Sequence, residues 1–252
     1  MKHRSLPGRL LAGLVLTAAA LTGCSAQAPE LGDRSHSGAK APAGGDSTSA
    51  LQSLQSLPVK GRAPQTGYDR DAKFGSAWSD ATTAPGSRNS CDTRDDILRR
   101  DLTAVTHKTG STCVIASGRL ADPYTATTVN FVRGPHSAAV QIDHVVALSA
   151  SWRTGAARLS QEQREALAND PLNLIASSGP ANQQKSDSDA ADWLPSNEDF
   201  QCTYVARQVA VKAKYRLWVT APERDAMNRV LAICPGQPLP TDTSAGVILP
   251  TS

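Results

Sequence analysis

Apolar positions recur along the chain in two regular rhythms. At about 93–103, 160–168 and 220–233 the spacing is helical, and each stretch opens on a hydroxyl followed three residues later by an acid or amide: Thr93 with Asp96, Ser160 with Gln163, Thr220 with Glu223. That is the reciprocal spacing with which a helix satisfies its first backbone N–H groups, so three helices are predicted. A fourth is predicted over about 203–218, where Tyr204, Val211, Tyr215 and Trp218 fall on one stripe. Its connection to the Thr220 helix is very short, so the two should lie antiparallel. Short β-rich runs at 113–117, 128–133, 140–143 and 172–176 predict strands, with Asp122-Pro123 turning between the first two. The expected fold class is α+β, mainly helical with a small β-hairpin.

The N-terminal end follows neither rhythm. Lys2, Arg4 and Arg9 precede an apolar run over 10–21, which ends in Leu21-Thr22-Gly23-Cys24. Residues 1–23 read as a lipoprotein signal peptide; the run falls short of the roughly 20 apolar residues of a spanning helix. Leu-Thr-Gly-Cys resembles the lipobox of bacterial lipoproteins. That resemblance implies export, diacylation of Cys24, and anchoring at the extracytoplasmic face of the cell membrane, since two acyl chains suffice for a stable anchor. From 25 to 50, 17 of 26 residues are Ala, Ser, Gly or Pro, so 24–50 is expected to be a disordered tether. All eleven aromatic residues lie between Tyr68 and Trp218. One folded domain over 51–236 is therefore expected, with 237–252 as a flexible tail.

Charge alters the picture less than it first suggests. The formal +3 comes from the signal: removing Lys2, Arg4 and Arg9 leaves 23 of the 26 basic residues against 23 acidic ones. A neutral mature chain is not drawn onto nucleic acid by global charge, and only a local patch can serve. Arg207, Lys212, Lys214 and Arg216 invite such a patch, but at 100° per residue they do not form one stripe. Four cysteines remain after Cys24: Cys91, Cys113, Cys202 and Cys234. An even number in an exported chain argues for two disulfides. The antiparallel helix pair favours Cys202 with Cys234, which leaves Cys91 with Cys113.

The candidate chemistry lies in Val140-Gln-Ile-Asp-His-Val-Val-Ala-Leu148, where Asp143 and His144 end an apolar strand. Adjacent strand residues face opposite ways unless a bend redirects them. Such a bend would let the carboxylate hold a cation while the imidazole stays free as a base. Asn169-Asp-Pro-Leu-Asn-Leu-Ile175 supplies a returning strand with Asn173, and Gly179-Pro-Ala-Asn-Gln-Gln-Lys-Ser-Asp187 a helix with Asn182 and Lys185.

These residues, in this order, resemble the HNH endonuclease superfamily and its ββα-metal core. More closely, the runs from Cys91-Asp-Thr-Arg-Asp-Asp through Asp143-His144 and Asn169-Asp-Pro-Leu-Asn to Cys202 resemble exported bacterial proteins with a GmrSD-type C-terminal HNH nuclease domain, over roughly 51–234. Asn182 stands where the family's name expects His, as a similar Asn does in the HNH domain of the CRISPR effector nuclease. The resemblance implies hydrolysis of phosphodiester bonds in DNA or RNA, with His144, Asn173 and Lys185 as catalytic residues. It also implies Mg²⁺ or Mn²⁺ held by Asp143 and Asn182. Such hard-oxygen ligation suits those ions, a neutral His144 can take a water's proton, and Asn173 can pin the strand that carries it. A monomer is expected. The alternatives are a non-catalytic surface lipoprotein that binds a cell-wall component or partner, and a phosphodiesterase for a non-nucleic substrate.

Overall fold

The structure, a computed structural model, describes residues 48–245. The signal peptide, Cys24, the tether up to residue 47 and residues 246–252 lie outside the described residues. Helices α1 (Ala50–Ser56), α2 (Arg70–Phe74) and α3 (Thr93–Asp101) lead into strands β1 (Leu102–His107), β2 (Ile115–Ala121), β3 (Thr128–Val132) and β4 (Val140–His144). Then come α4 (Leu148–Arg153), α5 (Gln161–Asn169), β5 (Leu174–Ser178), α6 (Gly179–Lys185), α7 (Glu198–Lys214) and α8 (Ala221–Ala232). Mixed helix and sheet is the class, as expected. Among the described residues no helix is long and apolar enough to cross a membrane.

Local chemistry accounts for where the elements begin. Ser160 and Thr220 form complete capping boxes with Gln163 and Glu223. The third predicted cap shifts by one residue: Asp92 accepts from the Asp95 amide, while the Thr93 hydroxyl donates to Ser79 O at 3.1 Å. Helix α7 starts at Glu198, ahead of the expected 203, and ends at Lys214. Trp218 therefore lies beyond it, buried against Gly61 O through its indole N–H.

The strands form two antiparallel sheets, β1-β2-β3 and β4-β5. Strand β1 was not expected, so the small hairpin is a three-stranded sheet. Only Leu102 of β1 is buried, its pairing with β2 is interrupted by irregular register, and Ala104 takes a φ of 50°. An alternating pattern has nothing to show on such a strand. In the ribbon, Val140 pairs with Ser178, Ile142 with Ala176 and His144 with Leu174. Val140, Ile142, Leu174 and Ala176 pack with Ile97, Ile115, Leu120 and Phe131 in one core. Ile175, on the other face, joins a larger helical core with Leu54, Tyr124, Leu167, Tyr204 and Leu231.

The cysteines pair Cys91–Cys113 and Cys202–Cys234. The first ties the loop ahead of α3 to the turn before β2, and the second joins α7 to the residues just past α8. Residues 237–245 are not loose. Leu239 N donates to Thr48 O at 3.1 Å, Arg100 donates to Ala245 O at 3.1 Å, and Lys214 pairs with Asp242 at 2.6 Å. Nothing aromatic marks that segment, because backbone and charge hold it. At the other end, α1 begins inside the expected tether, with the Ser49 hydroxyl capping Gln52 N at 3.1 Å.

The join from β5 to α6 has no linker, since the strand ends at Ser178 and the helix begins at Gly179. A Cβ at Gly179 would lie 2.3 Å from Ala138 O, so a larger residue cannot stand there without moving backbone.

Candidate active site

Strand β4 carries Asp143 and His144, and the ladder decides where they point. His144 still pairs with Leu174, so the alternation of faces persists to the last residue. The bend that would bring carboxylate and imidazole to one side is not there, and the two side chains lie on opposite faces of the ribbon.

On the Asp143 face, α6 supplies the partners. Lys185 Nζ donates to Asp143 Oδ1 and to His144 O, both at 2.9 Å, and the Tyr124 hydroxyl donates to Asp143 Oδ2 at 2.6 Å. Lys185 is fully buried and Asp143 nearly so. Burial pushes the Asp143 carboxyl up, and the Lys185 ammonium and Tyr124 hydroxyl oppose it. Asn182, one turn earlier on α6, donates its amide to Gln141 Oε1 at 2.8 Å.

Arranged so, these residues do not fit a divalent ion. Both oxygens of Asp143 already have donors, and one donor is itself a cation. Among the described residues no three His, Cys, Asp or Glu side chains gather as ligands. A divalent ion would reach Asp143 only by displacing the Lys185 ammonium.

On the other face, His144 Nε2 lies 2.8 Å from Ala168 O. A carbonyl can only accept, so Nε2 carries the proton and Nδ1 keeps its lone pair. Burial pushes the imidazole down to about 3, so the ring is neutral at physiological pH. It lines a cleft with Arg70, Phe74, Trp78, Leu148 and Asn169, and the cleft has about 10 Å³ of room, the space of one water. Asn169 Oδ1 is buried without a hydrogen-bond partner. Trp78 stacks on the imidazole, with ring centroids 5.8 Å apart and planes 12° from parallel. Its φ of 62° is unusual for a bulky side chain, a conformation that persists only where its surroundings impose it. Thr93 N donates to Trp78 O at 3.1 Å. Gly75 brings the segment against α5, where a Cβ would meet Glu165 Cγ at 2.9 Å.

The backbone after His144 is held at three successive carbonyls. Lys185 takes His144 O. Gln208 Nε2 donates to Val145 O at 2.8 Å, and Asn173 Nδ2 to Val146 O at 3.3 Å. Asn173 Oδ1 also accepts from Val146 N at 2.9 Å. Asn173 and Lys185 are fully buried and hold the strand rather than face the cleft.

Helix α7 clamps the partner strand as well. Arg207, which the sequence offered for a phosphate patch, is half-buried and donates to Pro171 O, Leu172 O and Leu174 O at 2.8 to 3.2 Å. Burial pushes its guanidinium down to about 10. Lys212 is buried against Glu223 at 2.9 Å, and Lys214 pairs with Asp170 at 2.7 Å. The basic residues of this helix are thus each committed to partners within the chain.

Gln208, Asn169, Arg70 and Trp78 were not singled out in the sequence. Gln208 did leave a signal, since it stands four residues after Tyr204 and three before Val211, a polar residue on the apolar stripe. Arg70 and Trp78 left none, because they belong to a short helix and an irregular loop.

Three comparisons bear on this arrangement. Residues 92–230 match the family of GmrSD restriction endonucleases, C-terminal domain. The chain is 39% identical over 191 residues to an "uncharacterized secreted protein" of the fungus Arthroderma benhamiae, covering 75% of this chain and 86% of that one. The relative is fungal, so it lends nothing to the bacterial setting expected from the lipobox. No solved structure matches. The matched stretch covers more than half of the chain and runs from the Asp92 cap through both strands of the ribbon, α6 and the α7 clamp into α8; the chain belongs to the family of GmrSD restriction endonuclease C-terminal domains.

Proposed function

We propose that this chain is an exported HNH-type endonuclease that hydrolyses phosphodiester bonds of DNA or RNA, with His144 as general base. One observation carries the reading. The imidazole is neutral, its Nε2 is committed to Ala168, and it lines a cleft the size of one water together with Asn169, whose side-chain oxygen has no hydrogen-bond partner. A water there gives one proton to Nδ1 as its oxygen attacks phosphorus, and the P–O bond to the leaving nucleoside oxygen breaks, that oxygen keeping the electron pair and taking a proton from solvent. Asn169 Oδ1 can accept the water's second hydrogen. The Nε2–H to Ala168 bond strengthens as the ring gains charge. A base near 3 is weak in the free protein, and an anionic phosphate at the cleft raises it. Asp143, Lys185, Asn173 and Gln208 hold the strand that presents the ring. The family resemblance implies Mg²⁺ or Mn²⁺ at Asp143 and Asn182, but their present partners leave no place for it.

The test is cleavage of plasmid DNA, RNA and bis(p-nitrophenyl) phosphate by the purified chain in EDTA, Mg²⁺ and Mn²⁺. His144→Ala, with its fold verified by circular dichroism, should lose about 10² to 10⁴-fold in turnover. Near-wild-type cleavage by that variant would sink the reading. Hydrolysis of the small diester alone would favour a phosphodiesterase for a non-nucleic substrate, and no hydrolysis of any substrate a non-catalytic lipoprotein. The same reading includes export and a lipid anchor on Cys24. The relative's description as secreted supports export, and the Leu21-Thr22-Gly23-Cys24 run supports the anchor. Cys24→Ser should abolish lipid labelling and release the chain from membranes; retention without lipid would refute the anchor.

A further inference from the structure

The family match begins at residue 92, yet one wall of the His144 cleft is built from residues 70–78. Two side chains of that wall have properties that the scaffold alone does not require. Arg70 is exposed at the cleft and takes part in none of the ion pairs found among the described residues. This contrasts with Arg100, Arg133 and Arg207, each committed to carboxylates or carbonyls. An unpaired guanidinium at the mouth of a cleft that ends on a neutral base is available to an anion, and its planar fork matches two phosphate oxygens.

Trp78 lies against the imidazole, half-buried, with its backbone held in the left-handed region by Thr93 and by a loop that ends in the Cys91–Cys113 bridge. The hydrogen bond to Ala168 O fixes one point of the His144 ring. It does not fix rotation of the ring plane about that bond. The parallel indole does.

We propose that Arg70 and Trp78, both ahead of the matched family region, complete the site: Arg70 binds a phosphate of the substrate, and Trp78 is the positioning residue that holds the imidazole plane. This rests on the nuclease reading, and its test is arranged to fail separately. For Arg70, binding of a fluorescein-labelled oligonucleotide to the full chain is followed by anisotropy across a salt series. Arg70→Gln should weaken binding several-fold and reduce the slope of log K against log salt by about 0.7 to 0.9, one phosphate contact. Arg70→Lys should restore the slope. A wild-type slope in Arg70→Gln overturns the assignment whether or not the chain cleaves.

For Trp78, two readouts apply. The His144 ring protons, close to the near-parallel indole, should carry a ring-current shift. In Trp78→Leu that line should move and broaden, and Trp78→Phe should recover it in part. On any substrate the chain cleaves, Trp78→Leu should lose about 10- to 100-fold in kcat with KM unchanged, within the range over which misplacing a catalytic group acts. A sharp, unshifted His144 line in folded Trp78→Leu overturns the positioning role. Wild-type protein that cleaves nothing, with both variants behaving as described in binding and spectra, would fault the nuclease reading and leave this one standing.

Discussion

Replacing Lys185 by methionine tests whether the Asp143 face is a structural anchor. The ammonium is fully buried and donates to Asp143 Oδ1 and His144 O at 2.9 Å each. Methionine fills similar volume and returns neither bond. Asp143 loses its cationic partner and keeps the Tyr124 hydroxyl, and His144 O loses the Lys185 donor. Breaking a buried pair from one side costs about 3 to 5 kcal/mol, a large part of the roughly 5 to 15 kcal/mol that holds a domain folded. Lys185→Met should therefore lower the urea midpoint sharply, and Asp143→Leu should do the same by stranding the lysine. The double variant removes both charges together and should lose less than the sum of the two by about 2 kcal/mol or more. Equilibrium urea unfolding by far-ultraviolet circular dichroism gives all four values. Additive losses, or less than about 1 kcal/mol for Lys185→Met, would refute the anchor. Repeating the series with Mn²⁺ adds a second decision. If the freed carboxylate takes the ion, Lys185→Met should gain about 2.7 kcal/mol at a hundredfold excess over Kd, with no gain in wild type. A gain in wild type would show that a divalent ion binds beside the lysine after all.

The buried imidazole makes stability fall in acid. Below about 6.5 the unfolded chain takes a proton that native His144, near 3, refuses, so stability present above 6.5 is lost as pH falls toward 3. The loss is about 1.4 kcal/mol per unit, hence about 2 kcal/mol between pH 6.5 and 5; His144→Gln should lack that part, and parallel pH profiles for the two proteins would refute it. Gln208→Leu should cost about 1 to 3 kcal/mol by leaving Val145 O only the long contact from the Tyr204 hydroxyl at 3.5 Å and should reduce turnover without changing oligonucleotide affinity; unchanged urea midpoint and turnover would contradict the carbonyl clamp. Cys202→Ala with Cys234→Ala should cost about 3 to 4 kcal/mol from the released loop, read from the same unfolding curves, and no loss would mean the bridge adds nothing to the fold.

Helix starts were legible because capping is local: Ser160 and Thr220 need only the three residues that follow them. The Asp92 cap was displaced by a contact the sequence does not announce, the Thr93 hydroxyl turning to Ser79 O. Strand β4 was legible from its alternation, and that same alternation implied the separation of Asp143 from His144 that a supposed bend was meant to undo. Arg207 invites a surface patch in the sequence because its partners are backbone carbonyls, which every sequence position offers alike. Arg207 bonds Pro171 O, Leu172 O and Leu174 O, and no pattern in the chain points from residue 207 to 171. Trp78 and Arg70 belong to the contribution of chain order that only folding reveals, a loop brought over a strand more than sixty residues later.

The absent linker between Ser178 and Gly179 makes the ribbon an angular reference for α6. Each residue of a helix advances by 100°, so one residue inserted at the join would carry Lys185 about a quarter of a turn away from Asp143 and His144 O, and Asn182 away from Gln141. A deletion would turn them as far the other way. Two neighbours close the remaining slack: Ala138 O bars any side chain at Gly179, and the Ser178 hydroxyl caps Ala181 N at 3.3 Å. Length variation, which loops elsewhere in the chain can absorb, is thus excluded at this junction by the phase of the helix itself.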